Sequence, residues 1–159
     1  MKPLYILGLA AFLPLVAASG ASVAQEVASL DPLPLVQPYG PRDAAGVGFA
    51  EQLYLQRPVV VFADSPADPN FIRQMELLAR DLPALELRDV VLVTDTDPGA
   101  KTEWRMKLRP RGFSLVLMDK DLKPVIRKPL PWEVREIVAA IDKFPLRRQE
   151  VLERNPAGR

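Results

Sequence analysis

The sequence predicts an α/β domain built on a mixed four-stranded sheet with helices on both faces, in the order β-α-β-α-β-β-α. Three observations carry this. Val59–Phe62 and Val90–Val93 are unbroken apolar runs, mostly β-branched and bounded by polar turns, the pattern of strands buried on both faces. Between them, Phe71, Met75, Leu78 and Leu82 recur at helical spacing. After the apolar run Phe113–Met118, the turn Asp119-Lys120-Asp121 is too short for anything but an antiparallel hairpin.

The chain opens with one charged side chain, Lys2, then an apolar run from Leu4 to Ala18, then Ser22-Val23-Ala24. Small residues at Ser22 and Ala24 match the positions that signal peptidase reads, so residues 1–24 are expected to be a signal peptide cleaved after Ala24. The apolar run is shorter than the roughly 20 residues of a spanning helix. The expected location is therefore the periplasm or the exterior, with no membrane span left after cleavage. Residues 25–45 include Asp31-Pro32-Leu33-Pro34-Leu35-Val36-Gln37-Pro38-Tyr39-Gly40-Pro41, a proline-rich stretch expected to be an extended lead-in or tether. The globular domain is expected over 46–153, with a disordered tail at 154–159.

Within that domain, residues 46–56 are expected to hold a short helix. Pro58 sits at the first position of the first strand, where a missing N–H is tolerated. Asp68 then Pro69 reads as a capping carboxylate followed by proline at the first helical position, and Pro83 as the stop. Asp95-Thr96-Asp97-Pro98-Gly99 is a turn, and 100–108 a short helix with Trp104 and Leu108 on one side. Trp104 and Trp132 are expected to pack rather than to bind sugar. The fourth strand is expected over Leu122–Arg127, at an edge because of Pro124. The last helix is expected from Pro131 to Pro145, with Val134, Ile137, Val138 and Ile141 as its stripe. The connections between the first three strands are long enough for helices, which favours parallel pairing among them.

The stretches RPVVVFADSPADP, FIRQMELLARD, RDVVLV, RPRGFSLVLMDKDLKPVIRKPL and IDKFPLRRQEV, within Arg57–Val151, resemble a thioredoxin-like family of exported bacterial proteins, domain of unknown function 4174. The resemblance implies a thioredoxin-like fold. It implies no activity, and relatives in extracellular matrix proteins imply only binding or adhesion. Thioredoxins carry Cys-x-x-Cys after the first of these strands and a cis-proline before the third. Here those places hold Ser65–Asn70 and Gly112-Phe113-Ser114, so both parts of a disulfide-exchange site are missing.

Composition narrows function further. Cysteine and histidine are both absent, which excludes thiol redox chemistry, Cys or His nucleophile–base pairs and zinc sites built on either residue. Without Lys2 the charges balance, so the basic excess of a nucleic-acid binder is lacking. Charge is nevertheless polarised: residues 25–100 carry twelve acids and five bases, residues 101–135 four acids and ten bases.

Four groups are candidates. In Arg105–Arg111, the pair Arg109 and Arg111 projects on one side of an extended segment, suited to a carboxylate or phosphate; the alternative is a solvated face. Arg147 and Arg148 either fold back on the last helix's C-terminal carbonyls or bind a partner. Asp64, Asp68, Asp95 and Asp97 lie on loops where ligands often sit, but Asp68 has a capping role and Asp95-Thr96-Asp97 is an ordinary turn, so no metal is assigned. Ser65 and Ser114 lack a histidine base, so no catalytic residue is assigned, and no cofactor is implied. The leading expectation is a non-redox module binding a protein or an anionic component of the cell envelope through Arg109, Arg111, Ser114, Arg147, Arg148 or Asp68. The alternative is a cysteine-independent enzyme using Arg, Ser and Asp in the same region.

Overall fold

A computed structural model describes residues 39–155. The expected signal peptide, the lead-in through residue 38 and residues 156–159 of the expected tail lie outside the described residues. The strands are β1 (Arg42–Asp43), β2 (Arg57–Phe62), β3 (Val90–Asp95), β4 (Ser114–Met118) and β5 (Pro124–Lys128). The helices are α1 (Pro69–Ala79), α2 (Leu82–Glu86), α3 (Glu103–Leu108), α4 (Val134–Ile141) and α5 (Pro145–Arg154). The sheet order is β1-β3-β2-β4-β5. β1 and β2 run parallel to β3, β4 is antiparallel to β2, and β5 is antiparallel to β4. This is the expected α/β, thioredoxin-like arrangement, with differences in detail.

The sheet has five strands rather than four. Arg42–Asp43, expected in the lead-in, pairs with Val93–Thr94 and closes the free edge of β3. Both residues are exposed, so no apolar pattern marked them as a strand. The second difference is direction: β4 runs antiparallel to β2, not parallel. The connection from β3 holds a 3-10 turn, Pro98–Ala100, and the six-residue α3, and it stays at the end of the sheet where β3 finishes. The chain re-enters where it left, and Ser114 pairs with Phe62, the last residue of β2.

Two prolines start helices rather than ending them. α1 stops at Ala79, and Asp81 caps a new helix, α2, that carries Pro83 in its first turn. α4 stops at Ile141 and Pro145 opens α5, so helix replaces tail as far as Arg154. In both places the missing N–H falls where a helix has no internal partner for it. Residues 44–46 and 50–52 form 3-10 turns in place of the expected helix. The last helices also start later than expected: α4 begins at Val134 with reciprocal capping between Glu133 and Glu136. Among the described residues no helix is long and apolar enough to cross a membrane.

Alternation along the strands fills two cores. Val59, Val61, Leu92, Leu115 and Leu117 pack against α1, α2 and α4. Val60, Phe62, Val93, Val116 and Met118 pack against Trp104, Leu108 and Val47. Trp104 is fully buried and its indole N–H donates to Val47 O at 2.6 Å. The first core is roofed by three helices, the second only by α3 and the 3-10 turns. The β5 edge lies between Pro124 and Pro129, and a register shift at Leu117/Met118 interrupts its pairing.

A buried arginine joins the elements at the other end of the sheet. Arg57, the first residue of β2, is fully buried. Its Nε donates to Asp119 at 3.0 Å, Nη1 to Arg88 O at 3.0 Å and Nη2 to Glu150 at 2.8 Å. Lys120 adds contacts of 2.9 Å to both Asp89 and Glu150. α5 has no buried residue and docks through these charges. Burial alone would raise the Glu150 carboxyl, but Arg57 and Lys120 outweigh it and hold it at about 2. Because the folded value lies below the ordinary carboxylate value, this stabilisation is present above about pH 4.5 and is lost as pH falls towards 2. We therefore expect Glu150→Gln to lower the melting temperature at neutral pH and to shrink its fall between pH 4.5 and 2, read by thermal melts across that range. Arg57→Met, which strands Asp119 in the interior, should cost about 3–5 kcal/mol in denaturant unfolding.

Candidate functional site

β2 ends at Phe62, β3 ends at Asp95 and β4 starts at Ser114, so the loops after the first two and the turn before the third meet at one end of the sheet. In open α/β sheets this end is where ligands commonly sit. The sequence candidates divide there into residues committed to the fold and residues left open.

The acidic set is committed. Asp68 accepts from the backbone N–H groups of Asn70 at 2.8 Å and Phe71 at 3.2 Å, capping α1. Asp97 accepts from Gly99 N at 2.8 Å. Asp95 is buried and accepts from Arg105 Nε at 2.9 Å, Arg105 Nη2 at 2.8 Å and the Thr102 hydroxyl. Asp64 is largely exposed and lies 3.5 Å from Arg105 Nη1. Among the described residues no three potential metal ligands come together. Ser65 accepts from Ala67 N at 3.1 Å inside its own loop.

The basic stretch does not act as one patch. Arg105 points inward: besides Asp95, its Nη2 donates to Ala63 O at 2.7 Å, and its guanidinium lies 5.5 Å from the centre of the Phe62 ring. It ties the ends of β2 and β3 to α3. Lys107 pairs with Glu103 at 3.5 Å and sits over Phe49 at 4.8 Å. Arg109 and Arg111 leave on another side. Arg109 caps α3 in the left-handed region, φ 47°, with its N–H donating to Arg105 O at 2.9 Å. Gly112, φ 57°, completes the turn, in a conformation that side chains other than glycine rarely adopt.

That turn forms one wall of a cleft of about 530 Å³ lined by Leu108, Arg109, Arg111, Phe113, Ser114, Arg127 and Pro129. Three predicted residues, Arg109, Arg111 and Ser114, thus come together. Arg127 is a fourth polar member that the sequence did not single out. It pairs with Val116 across the hairpin and therefore shares the face of Ser114. Its Nη2 donates to Leu108 O at 2.7 Å and its Nη1 to Ser114 Oγ at 3.4 Å, which fixes the guanidinium over the end of α3. Among the described residues no carboxylate oxygen lies within 4.0 Å of Arg109, Arg111 or Arg127. Arg105, by contrast, is paired with Asp95 and Asp64.

The remaining candidates lie elsewhere. Arg147 is mostly buried on α5, 3.5 Å from both Asp142 and Glu150, and its Nε has no hydrogen-bond partner. It meets the carboxylate that ends α4 rather than the carbonyls expected from the sequence. Arg88 holds that carboxylate more closely, at 2.9 and 2.7 Å, and with Arg147 lowers the Asp142 carboxyl. Arg148 is exposed, in no ion pair among the described residues, beside Val151 and Leu152 in a second cleft of about 470 Å³.

A model of the family described as "Domain of unknown function (DUF4174)" matches residues 50–150. No curated protein matches the chain. Among solved structures, chloroplastic thioredoxin z is similar at 18% identity with a TM-score of 0.47, over 69% of this chain and 99% of that one; its description speaks of a type-specific target recognition by that protein.

If Arg105 is the clamp of this end, removing its charge should loosen the loop at 63–68 and the start of α3 together. Arg105→Gln, which leaves Asp95 buried without its partner, should cost roughly 3 kcal/mol in stability. It should also raise hydrogen exchange at Ala63, Asp64 and Arg105 while the β4–β5 hairpin stays protected. Equal protection in variant and wild type at those amides would show that Arg105 does not clamp them.

Proposed function

This chain belongs to the DUF4174 family, and from that premise we propose that it is a non-redox binding module of the cell envelope whose arginine cleft holds an anionic group of a ligand or partner. The observation that carries this reading is the set of three arginines, Arg109, Arg111 and Arg127, that share one concave cleft with no carboxylate within 4.0 Å among the described residues. Arg109 and Arg111 are exposed and solvated, and an anion seated among the three guanidiniums would be attracted by each of them. Arginine also suits the role because its planar fork meets carboxylate or phosphate oxygens in pairs. The cleft falls in the size range of small-ligand pockets.

The enzyme alternative needs a base beside Ser114 or a bound substrate. Neither Ser65 nor Asp68 lines the cleft, and none of its lining residues is a carboxylate, lysine or histidine. Binding is therefore the reading the lining supports. The absence of cysteine removes the chemistry a thioredoxin-like sheet usually performs.

Two outcomes test this. The protein recovered from the periplasm should have the intact mass of a chain beginning at Gln25. In calorimetry at low salt with inorganic phosphate, citrate and benzoate, at least one probe should bind the wild-type protein. Arg109→Ser with Arg111→Ser should weaken that binding by at least about tenfold. No binding by any of the three, or equal binding by the double variant, would remove the cleft from the proposal.

A further inference from the structure

We infer that the group recognised in this cleft is a phosphate monoester carried on a small apolar body. This rests on the reading of the cleft as an anion site and adds the class of anion. The first argument is charge. Three guanidiniums line the cleft and no carboxylate lies within 4.0 Å of them among the described residues. A monocarboxylate has one charge and two oxygens, which a single guanidinium fork satisfies. Two arginines would then remain uncompensated. A phosphate monoester carries nearly two charges at neutral pH and three terminal oxygens, enough for donors arriving from three side chains.

The second argument is the supply of donors. Arg127 uses one hydrogen on Leu108 O and one on Ser114 Oγ, so its Nε–H and one hydrogen on each terminal nitrogen remain. Ser114 is buried and accepts from Arg127, which leaves its own hydroxyl hydrogen for an acceptor in the cleft. Arg109 and Arg111 flank Pro110, whose fixed φ limits the turn that presents them. The polar side chains of the lining are therefore mostly donors, three guanidiniums and one hydroxyl, and a ligand rich in oxygen acceptors suits them.

The third argument is the remaining lining. Leu108, Phe113 and Pro129 are apolar and share the cleft with the arginines. A free phosphate ion leaves these carbons facing water, whereas an apolar substituent on the ester oxygen covers them.

The charged groups around the cleft are Arg109 and Arg111 on the turn, Arg127 on β5 and, beyond Gly112, Asp64 of the β2–α1 loop. The chain has no histidine or cysteine, the side chains whose ordinary values lie nearest neutrality. A change in affinity between pH 5 and 7 therefore follows the second ionisation of the phosphate, near 6.

The test is calorimetry on the secreted chain with phenyl phosphate, inorganic phosphate and benzoate, repeated at pH 5 and pH 7. Vesicles of phosphatidylcholine with phosphatidic acid are run in parallel. Phenyl phosphate should bind about tenfold more tightly than benzoate and severalfold more tightly than inorganic phosphate, and should weaken at pH 5. Arg111→Ser should cost about tenfold. Arg127→Gln should do the same with the melting temperature as a check on folding, and Arg73→Ser, on exposed α1 surface, should change nothing. Arg111-dependent binding of phosphatidic acid vesicles identifies a lipid as the source of the phosphate; binding of soluble ester alone identifies a free metabolite. Benzoate binding as tightly as phenyl phosphate overturns the phosphate assignment and leaves the anion site standing. No binding of any probe overturns both.

Discussion

A guanidinium buried at the first residue of the central strand has to be satisfied from several directions at once, and the elements that satisfy it define one end of this fold. Arg57 draws on Asp119 from the β4–β5 turn, on Arg88 O from the approach to β3 and on Glu150 from α5. Leaving such a charge unpaired in the interior would cost several kcal/mol, so these contacts are not independent choices. They fix how the hairpin leaves the sheet, where β3 enters it and where the last helix rests. Asp119 extends the arrangement by accepting from Leu146 N at 3.2 Å, at the first turn of α5.

The other end of the same strand is organised by a second arginine. Arg105 reaches from α3 to Asp95 and to Ala63 O, tying the loop after β2 to the end of β3. The two arginines are spent on structure. In the cleft, Arg127 is partly committed, to Leu108 O and Ser114, while Arg109 and Arg111 have no carboxylate within 4.0 Å among the described residues. What sets the cleft arginines apart from Arg57 and Arg105 is that no acid stands beside them among the described residues while they share one concavity. By that measure Arg105 drops out of the basic stretch and Arg127 joins the site.

The buried strands were legible because burial on both faces needs unbroken apolar runs, and Val59–Phe62 and Val90–Val93 have them. Asp68 was legible as a cap because its role is local. What failed was non-local or carried by backbone alone. β1 has two exposed residues and no side-chain pattern. The direction of β4 follows from the end of the sheet to which its connection returns, which the composition of the strand does not record. Pro83 and Pro145 break and start helices with equal ease, and only the capping geometry decides which. Arg109, Arg111 and Ser114 stood out by spacing and by place, but Arg127 was hidden because the shift at Leu117/Met118 sets which residues of β5 face Ser114. The buried role of Arg57 had no sequence signature at all: beside Pro58 it reads as the polar edge of a strand.

The hairpin beside the cleft has one more consequence. β5 is the outer strand, yet proline stands at its start and immediately after its end, its pairing is broken by a register shift, and Arg127 and Lys128 lie within it. Those are the devices that keep a bare sheet margin from recruiting another strand. A visitor arriving at this side of the molecule finds little backbone to zip onto. This side of the sheet is therefore no template for extended chain, and no sticky margin forms beside the cleft.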